Sequence, residues 1–127
     1  MGSPALVNFD IELGDRVLNA LDEDGKAPEV ALWAKFPEWE KWRLIIASAQ
    51  LDQSSPRHAY SELDTALKKV GVRFPGLPSV VLMPMKRPFI QELRQFFSAA
   101  KDTYGMRLGN QVFGDQFLED GFVYRIR

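Results

Sequence analysis

The chain has 127 residues, 46% of them apolar and 26% charged, with a net charge of −1. That is the composition of one globular domain, residues 1–127, with a core large enough to need no covalent staples. The absence of cysteine excludes disulfides and thiolate metal sites and fits a reducing, cytoplasmic setting. No secretory leader is visible, and no stretch nears the ~18 apolar residues of a membrane span, so no membrane association is expected.

The first predicted element is a helix from Asp10 to Glu23, with Leu13, Val17, Ala20 and Leu21 at helical spacing. Asp10 can cap its start and Gly25 its end. Gly14, inside it, costs about 1 kcal/mol relative to alanine. Two strand-like runs follow, about Glu29–Phe36 and Lys41–Gln50, around a Pro-Glu tip. They read as a hairpin that holds all three tryptophans, Trp33, Trp39 and Trp42. The second run, through Leu44, Ile45 and Ile46, is apolar on both faces, the pattern of an inner strand. Trp33 and Trp39 are the candidate interaction surface, since Trp39 stands between Glu38 and Glu40 and tryptophan is enriched at interface hot spots.

Ser55 and Pro56 open a second helix running to about Val70, as an N-cap followed by proline at the first helical position. Arg73 to Pro78 holds two prolines and a glycine and predicts irregular chain. Ser79–Met83 is a short apolar run, a buried strand that Pro84 ends. Pro88 opens a third helix with Phe89, Leu93, Phe96, Phe97 and Ala100 as its stripe, closed at Tyr104-Gly105. Glu119-Asp120-Gly121 is read as the turn between strands Val112–Leu118 and Phe122–Arg127. The order α-β-β-α-β-α-β-β predicts a two-layer α+β fold, a mixed five-stranded sheet with three helices mainly on one face. What covers the other face is left open.

Motifs that carry chemistry are nearly absent. There is no glycine-rich phosphate loop and no dinucleotide fingerprint, so no cofactor is expected. One histidine and no cysteine make a zinc site improbable, and no metal ligands are assigned. His58 falls in the first turn of the second helix, where the helix dipole favours the neutral ring. It is the one ready proton shuttle, but capping and helix surface account for the hydroxyls near it, and no catalytic residue is assigned. The carboxylates read as a solvated face.

Lys86 and Arg87 form the candidate anion-binding site. Two cations stand at the carboxyl end of a buried strand, just before a helix start, where open sheets place ligands and free helix N–H groups attract anions. Charge is uneven along the chain. Residues 1–64 carry six basic and twelve acidic side chains, residues 65–127 ten basic and five acidic. The halves are expected to neutralise each other on folding. The basic residues are scattered and the pI is near 5.8, so a nucleic-acid partner is not favoured.

The combination of Ala31-Leu-Trp33, Pro37-Glu-x-x-x-Trp42-Arg-Leu-Ile-Ile-Ala47, Asp52 and the tail Glu119-Asp-Gly-Phe-Val-Tyr-Arg-Ile126 resembles small bacterial proteins of unknown function. The likeness covers most of the chain and implies no activity. The helix followed by a hairpin is also similar to the opening of GAF-type sensor domains, although the later order has too few central strands for that pattern.

The functional expectation is a non-enzymatic binding or interaction module, with a protein partner or self-association through the tryptophan hairpin or a sheet face. The alternative is a sensor or enzyme for a small anionic ligand at Lys86 and Arg87. A third is a nucleic-acid-processing accessory.

Overall fold

A computed structural model describes residues 5–72 and 79–127; the expected irregular stretch from Arg73 to Pro78 lies outside the described residues. Its helices are α1 (Asn8–Glu23), α2 (Pro56–Lys69) and α3 (Pro88–Phe96), and its strands are β1 (Val30–Lys35), β2 (Arg43–Ala47), β3 (Val80–Leu82), β4 (Arg107–Phe113) and β5 (Gln116–Ile126). This is an α+β fold in the expected element order. The sheet runs β3-β2-β1-β5-β4. The β2–β3 pair is parallel, with α2 as the crossover, and the other pairs are antiparallel.

Every residue of the central strand β1 is buried, because both sheet faces are covered. Ala31, Trp33, Leu44, Ile46 and Tyr124 pack on one face with the stripes of α1 and α2. Val30, Leu32, Ala34, Ile45, Ala47 and Val123 pack on the other with Phe89, Ile90 and Leu93 of α3. Two of the three helices thus share a face, and α3 is the cover that the sequence left open. The two-layer picture becomes three layers, as strands apolar on both sides require.

Three local expectations are corrected. Asp10 is not the N-cap of α1: the helix begins two residues earlier, and the Asp10 carboxylate accepts the Val7 backbone N–H at 3.4 Å. Helix α3 ends at Phe96 rather than near Tyr104, and Phe96 is 60% exposed. Ile90 takes its place in the buried stripe.

The third correction concerns the last hairpin. Its turn is Gly114-Asp115, and β5 runs unbroken through Glu119-Asp120-Gly121. Gly114 has φ +62°, as a two-residue hairpin turn with glycine at its first position requires. Gly121 serves a different need. It lies between Ala34 of β1 and Leu108 of β4, where a β-carbon would stand 3.4 Å from the Trp33 carbonyl oxygen. The glycine marks close packing in an inner strand, not a reversal.

One buried node ties α1 to the sheet. The register between β1 and β5 shifts at Tyr124, whose hydroxyl donates to the Ile11 carbonyl of α1. The same hydroxyl accepts the Trp33 indole N–H at 2.9 Å, which also reaches the Asp10 carbonyl at 3.1 Å. Burial pushes the Tyr124 phenol well above its ordinary pKa, so it stays a donor. Gly14 faces this ring with no room for a side chain. The apparent weak point of α1 is the place where the phenol seats.

Candidate ligand cleft

The parallel β2–β3 pair ends in a cleft of about 510 Å³. Chain geometry dictates who lines it. After β2 the chain makes a short 3₁₀ turn, Leu51–Gln53, and enters α2 at Pro56. After β3 it turns through Pro84, Met85 and Lys86 into α3. Both turns therefore leave the carboxyl ends of neighbouring parallel strands and face each other. Leu51, Pro56, Ala59, Pro84 and Met85 give the cleft its apolar surface, and Asp52, Ser54, Lys86 and Gln91 its polar groups. Its volume falls within the ~300–1,000 Å³ of ordinary small-molecule sites.

The two turns are stitched together. Asp52 accepts the Met85 backbone N–H at 2.8 Å, and the Gln91 side chain donates to the Met85 carbonyl at 2.6 Å. Ser55 caps α2 by accepting the His58 N–H at 3.3 Å. On the far side of β3, Tyr60 of α2 offers its hydroxyl oxygen to the Leu82 N–H at 3.0 Å. That bond occupies a backbone donor on an edge strand that is otherwise open to pairing.

The predicted anion pair divides. Lys86 lines the cleft, is exposed, and makes no hydrogen bond or ion pair among the described residues. Arg87 does not line it, and its guanidinium lies 4.0 Å from the Asp115 carboxylate at the hairpin turn. Other charges pair across the two halves of the chain, Asp22 with Arg125 at 2.9 Å and Asp24 with Lys69 at 2.7 Å. The Asp24 carboxyl is held below its ordinary pKa by its bonds to Lys26 and Lys69. These pairs join the two halves of the chain, whereas Lys86 keeps its charge for the cleft it lines.

The tryptophan surface is corrected. Trp33 is 3% exposed and its indole is committed to Tyr124 and Asp10, so it offers no contact area to a partner. Trp39 is half-buried and folds back over its own hairpin. Its ring stacks on Phe36 at 4.1 Å, with the Arg43 guanidinium 4.8 Å from its centroid. Burial of the large indole against the ring beneath it offsets the exposure of the tip.

His58 stands beside the cleft, not in it. Its Nε2 lies 3.2 Å from Glu62 Oε1, and the Ser54 hydroxyl donates to that same oxygen at 2.5 Å. The carboxylate occupies the middle position, where a nucleophilic relay needs imidazole between hydroxyl and acid. The arrangement fixes Ser54; it does not activate it. Among the described residues no group of three or more histidines and carboxylates is placed to hold a metal ion, and no helix is long and apolar enough to cross a membrane.

Asp52, Ser54 and Gln91 were not anticipated as site residues. Asp52 follows an apolar strand and precedes a Ser-Ser-Pro helix start, which is a usable signal once β2 and β3 are known to be parallel. Gln91 carries no such signal. Protein-family models, curated proteins and solved structures offer no match to this chain.

Proposed function

We propose that this protein is a non-enzymatic binding module that holds a small anionic ligand in the cleft between β2, β3 and the starts of α2 and α3. The observation that carries it is an uncommitted lysine on a cleft flanked by two helix N-termini. Lys86 supplies the charge, and the partial positive ends of α2 and α3 add to it. The apolar surface from Leu51 to Met85 supplies the burial that a small ligand needs for affinity.

In a calorimetric titration with small carboxylates and inorganic phosphate, the wild type is expected to bind at least one of them. Lys86→Ala weakens that binding by about tenfold, the equivalent of about 1.4 kcal/mol, whereas Arg87→Ala leaves it nearly unchanged. Wild-type titrations that stay flat for every anion would end this reading.

A second reading, association with a protein partner or a second copy, moves away from the tryptophan hairpin. The feature that favours it is the cross-strand pair Val112 and Phe117, 56% and 38% exposed at the edge strand β4. Edge strands with apolar side chains invite pairing, and a purely monomeric mass by light scattering at high concentration would remove self-association.

A further inference from the structure

We infer that the ligand of this cleft is a zwitterion, an α-amino acid with an apolar side chain, whose carboxylate meets Lys86 and whose ammonium meets Asp52. The inference rests on the proposed anion site and specifies what else the ligand must carry.

The starting point is a pair of opposite charges that share a cleft without neutralising each other. Asp52 and Lys86 both line it, yet they form no ion pair within 4.0 Å, and Lys86 has no other partner among the described residues. Elsewhere cations near carboxylates do close on them, as Lys69 does on Asp24 and Lys68 on Asp64 at 2.9 Å. Asp52 is anchored at its own turn, where Oδ2 accepts the Met85 N–H. That bond also fixes the backbone immediately before Lys86. The turns therefore fix the Asp52 carboxylate and the backbone from which the Lys86 side chain departs.

The neighbouring polar groups repeat the same division. The Ser54 hydroxyl donates its hydrogen bond to Glu62, which leaves its oxygen to the cleft as an acceptor only. It stands with Asp52 as a second acceptor for an ammonium. Gln91 spends one amide N–H on the Met85 carbonyl and keeps the other as a donor, on the side of α3 that follows Lys86. A simple anion would find Lys86 but also the Asp52 carboxylate. A simple amine would find the reverse. A molecule with both charges a few ångströms apart satisfies both, and Leu51, Pro56, Ala59 and Met85 take its apolar side chain. The cleft volume of about 510 Å³ holds one such molecule with its bridging water.

Three probes separate the possibilities: leucine, 4-methylpentanoate, which lacks the amine, and 3-methylbutylamine, which lacks the carboxylate. Each is titrated into the ¹⁵N-labelled full chain and followed at the backbone amides of Asp52, Ala59, Met85 and Lys86. Leucine is expected to shift these signals and to bind at least about tenfold more tightly than either analogue. Asp52→Asn keeps an acceptor for the Met85 N–H and removes the charge. It is expected to weaken leucine by about tenfold and to leave 4-methylpentanoate unchanged or slightly improved. Lys86→Ala weakens both. If 4-methylpentanoate binds as well as leucine, or Asp52→Asn leaves leucine binding intact, the zwitterion inference is wrong while the anion site stands. If 3-methylbutylamine binds as well as leucine, both are overturned; if no probe shifts these amides, the zwitterion inference is overturned, and the anion site falls with it when inorganic phosphate also leaves them unshifted.

Discussion

Trp33→Ala is expected to cost about 4 kcal/mol of folding stability in urea denaturation, the range found when a fully buried large aromatic is truncated. Three contributions combine. The indole body leaves a hole between α1 and the sheet, in a strand buried from end to end. Its N–H leaves Tyr124 and the Asp10 carbonyl without that donor. The Tyr124 ring loses one wall of its seat against α1. Trp33→Phe retains most of the volume and removes the donor alone, so it is expected to cost about 1–2 kcal/mol. The same node predicts the opposite of helix propensity at Gly14. Alanine there should gain about 1 kcal/mol in an isolated helix, but overlap with the Tyr124 phenol turns Gly14→Ala into a loss of about 2 kcal/mol. A Trp33→Ala chain that unfolds within about 0.5 kcal/mol of wild type, the range of ordinary surface substitutions, would return Trp33 to the surface.

Trp33 also shows what was and was not legible in the sequence. Helical stripes and apolar runs located the three helices and the first three strands, because periodicity records which face of an element is buried. Periodicity cannot say what buries it. Trp33 and Ala31 share a face of β1 with Lys35, and only the fold shows that α1 and α2 lie over the first two. Lys35 itself is 5% exposed, with its ammonium donating to the Phe36 carbonyl at 2.8 Å and lying 3.5 Å from Glu119. This charged residue, at the end of an otherwise apolar strand, is a buried clasp on the hairpin. The tail turn was misplaced for a related reason. Glu119-Asp120-Gly121 and Gly114-Asp115 both carry turn chemistry, and only sheet pairing decides that the first lies inside a strand and the second makes the reversal.

The cleft was half legible. Lys86 was found because a cation after an apolar strand and before a proline-started helix has a physical reason to bind anions. Arg87, its neighbour, has the same local sequence context and a different fate, since the hairpin turn brings Asp115 to it. Asp52 and Gln91 reach the cleft through the parallel pairing of β2 with β3, a long-range choice that no local pattern encodes. Site residues contributed by crossover geometry stay hidden until strand order is known. Those contributed by a single strand–helix junction do not.

The hairpin turn supplies a test that links the fold to the cleft. Gly114→Ala is expected to cost about 3 kcal/mol, from a left-handed backbone angle that penalises a β-carbon by about 1 kcal/mol and an overlap worth about 2 more. The overlap is with backbone: the new methyl would stand 2.6 Å from the Pro88 carbonyl oxygen and 2.7 Å from the Phe89 nitrogen. Neither can rotate away, so the turn must lift from the start of α3. Lifting breaks the bond from the Gly114 N–H to the Glu92 carboxylate, now 2.8 Å, and separates Arg87 from Asp115. Helix α3 carries Gln91 and follows directly on Lys86, so the cleft should lose affinity for its ligand along with stability. Asp115→Ala provides the control, because it removes only an exposed, 4.0 Å ion pair and is expected to change stability by less than about 0.5 kcal/mol. Urea denaturation measures the first effect, and backbone amide shifts from Met85 to Gln91 measure the second. If Gly114→Ala leaves both unchanged, the hairpin turn does not brace α3, and the position of Lys86 over the cleft has to come from the Asp52 and Gln91 bonds to Met85 alone.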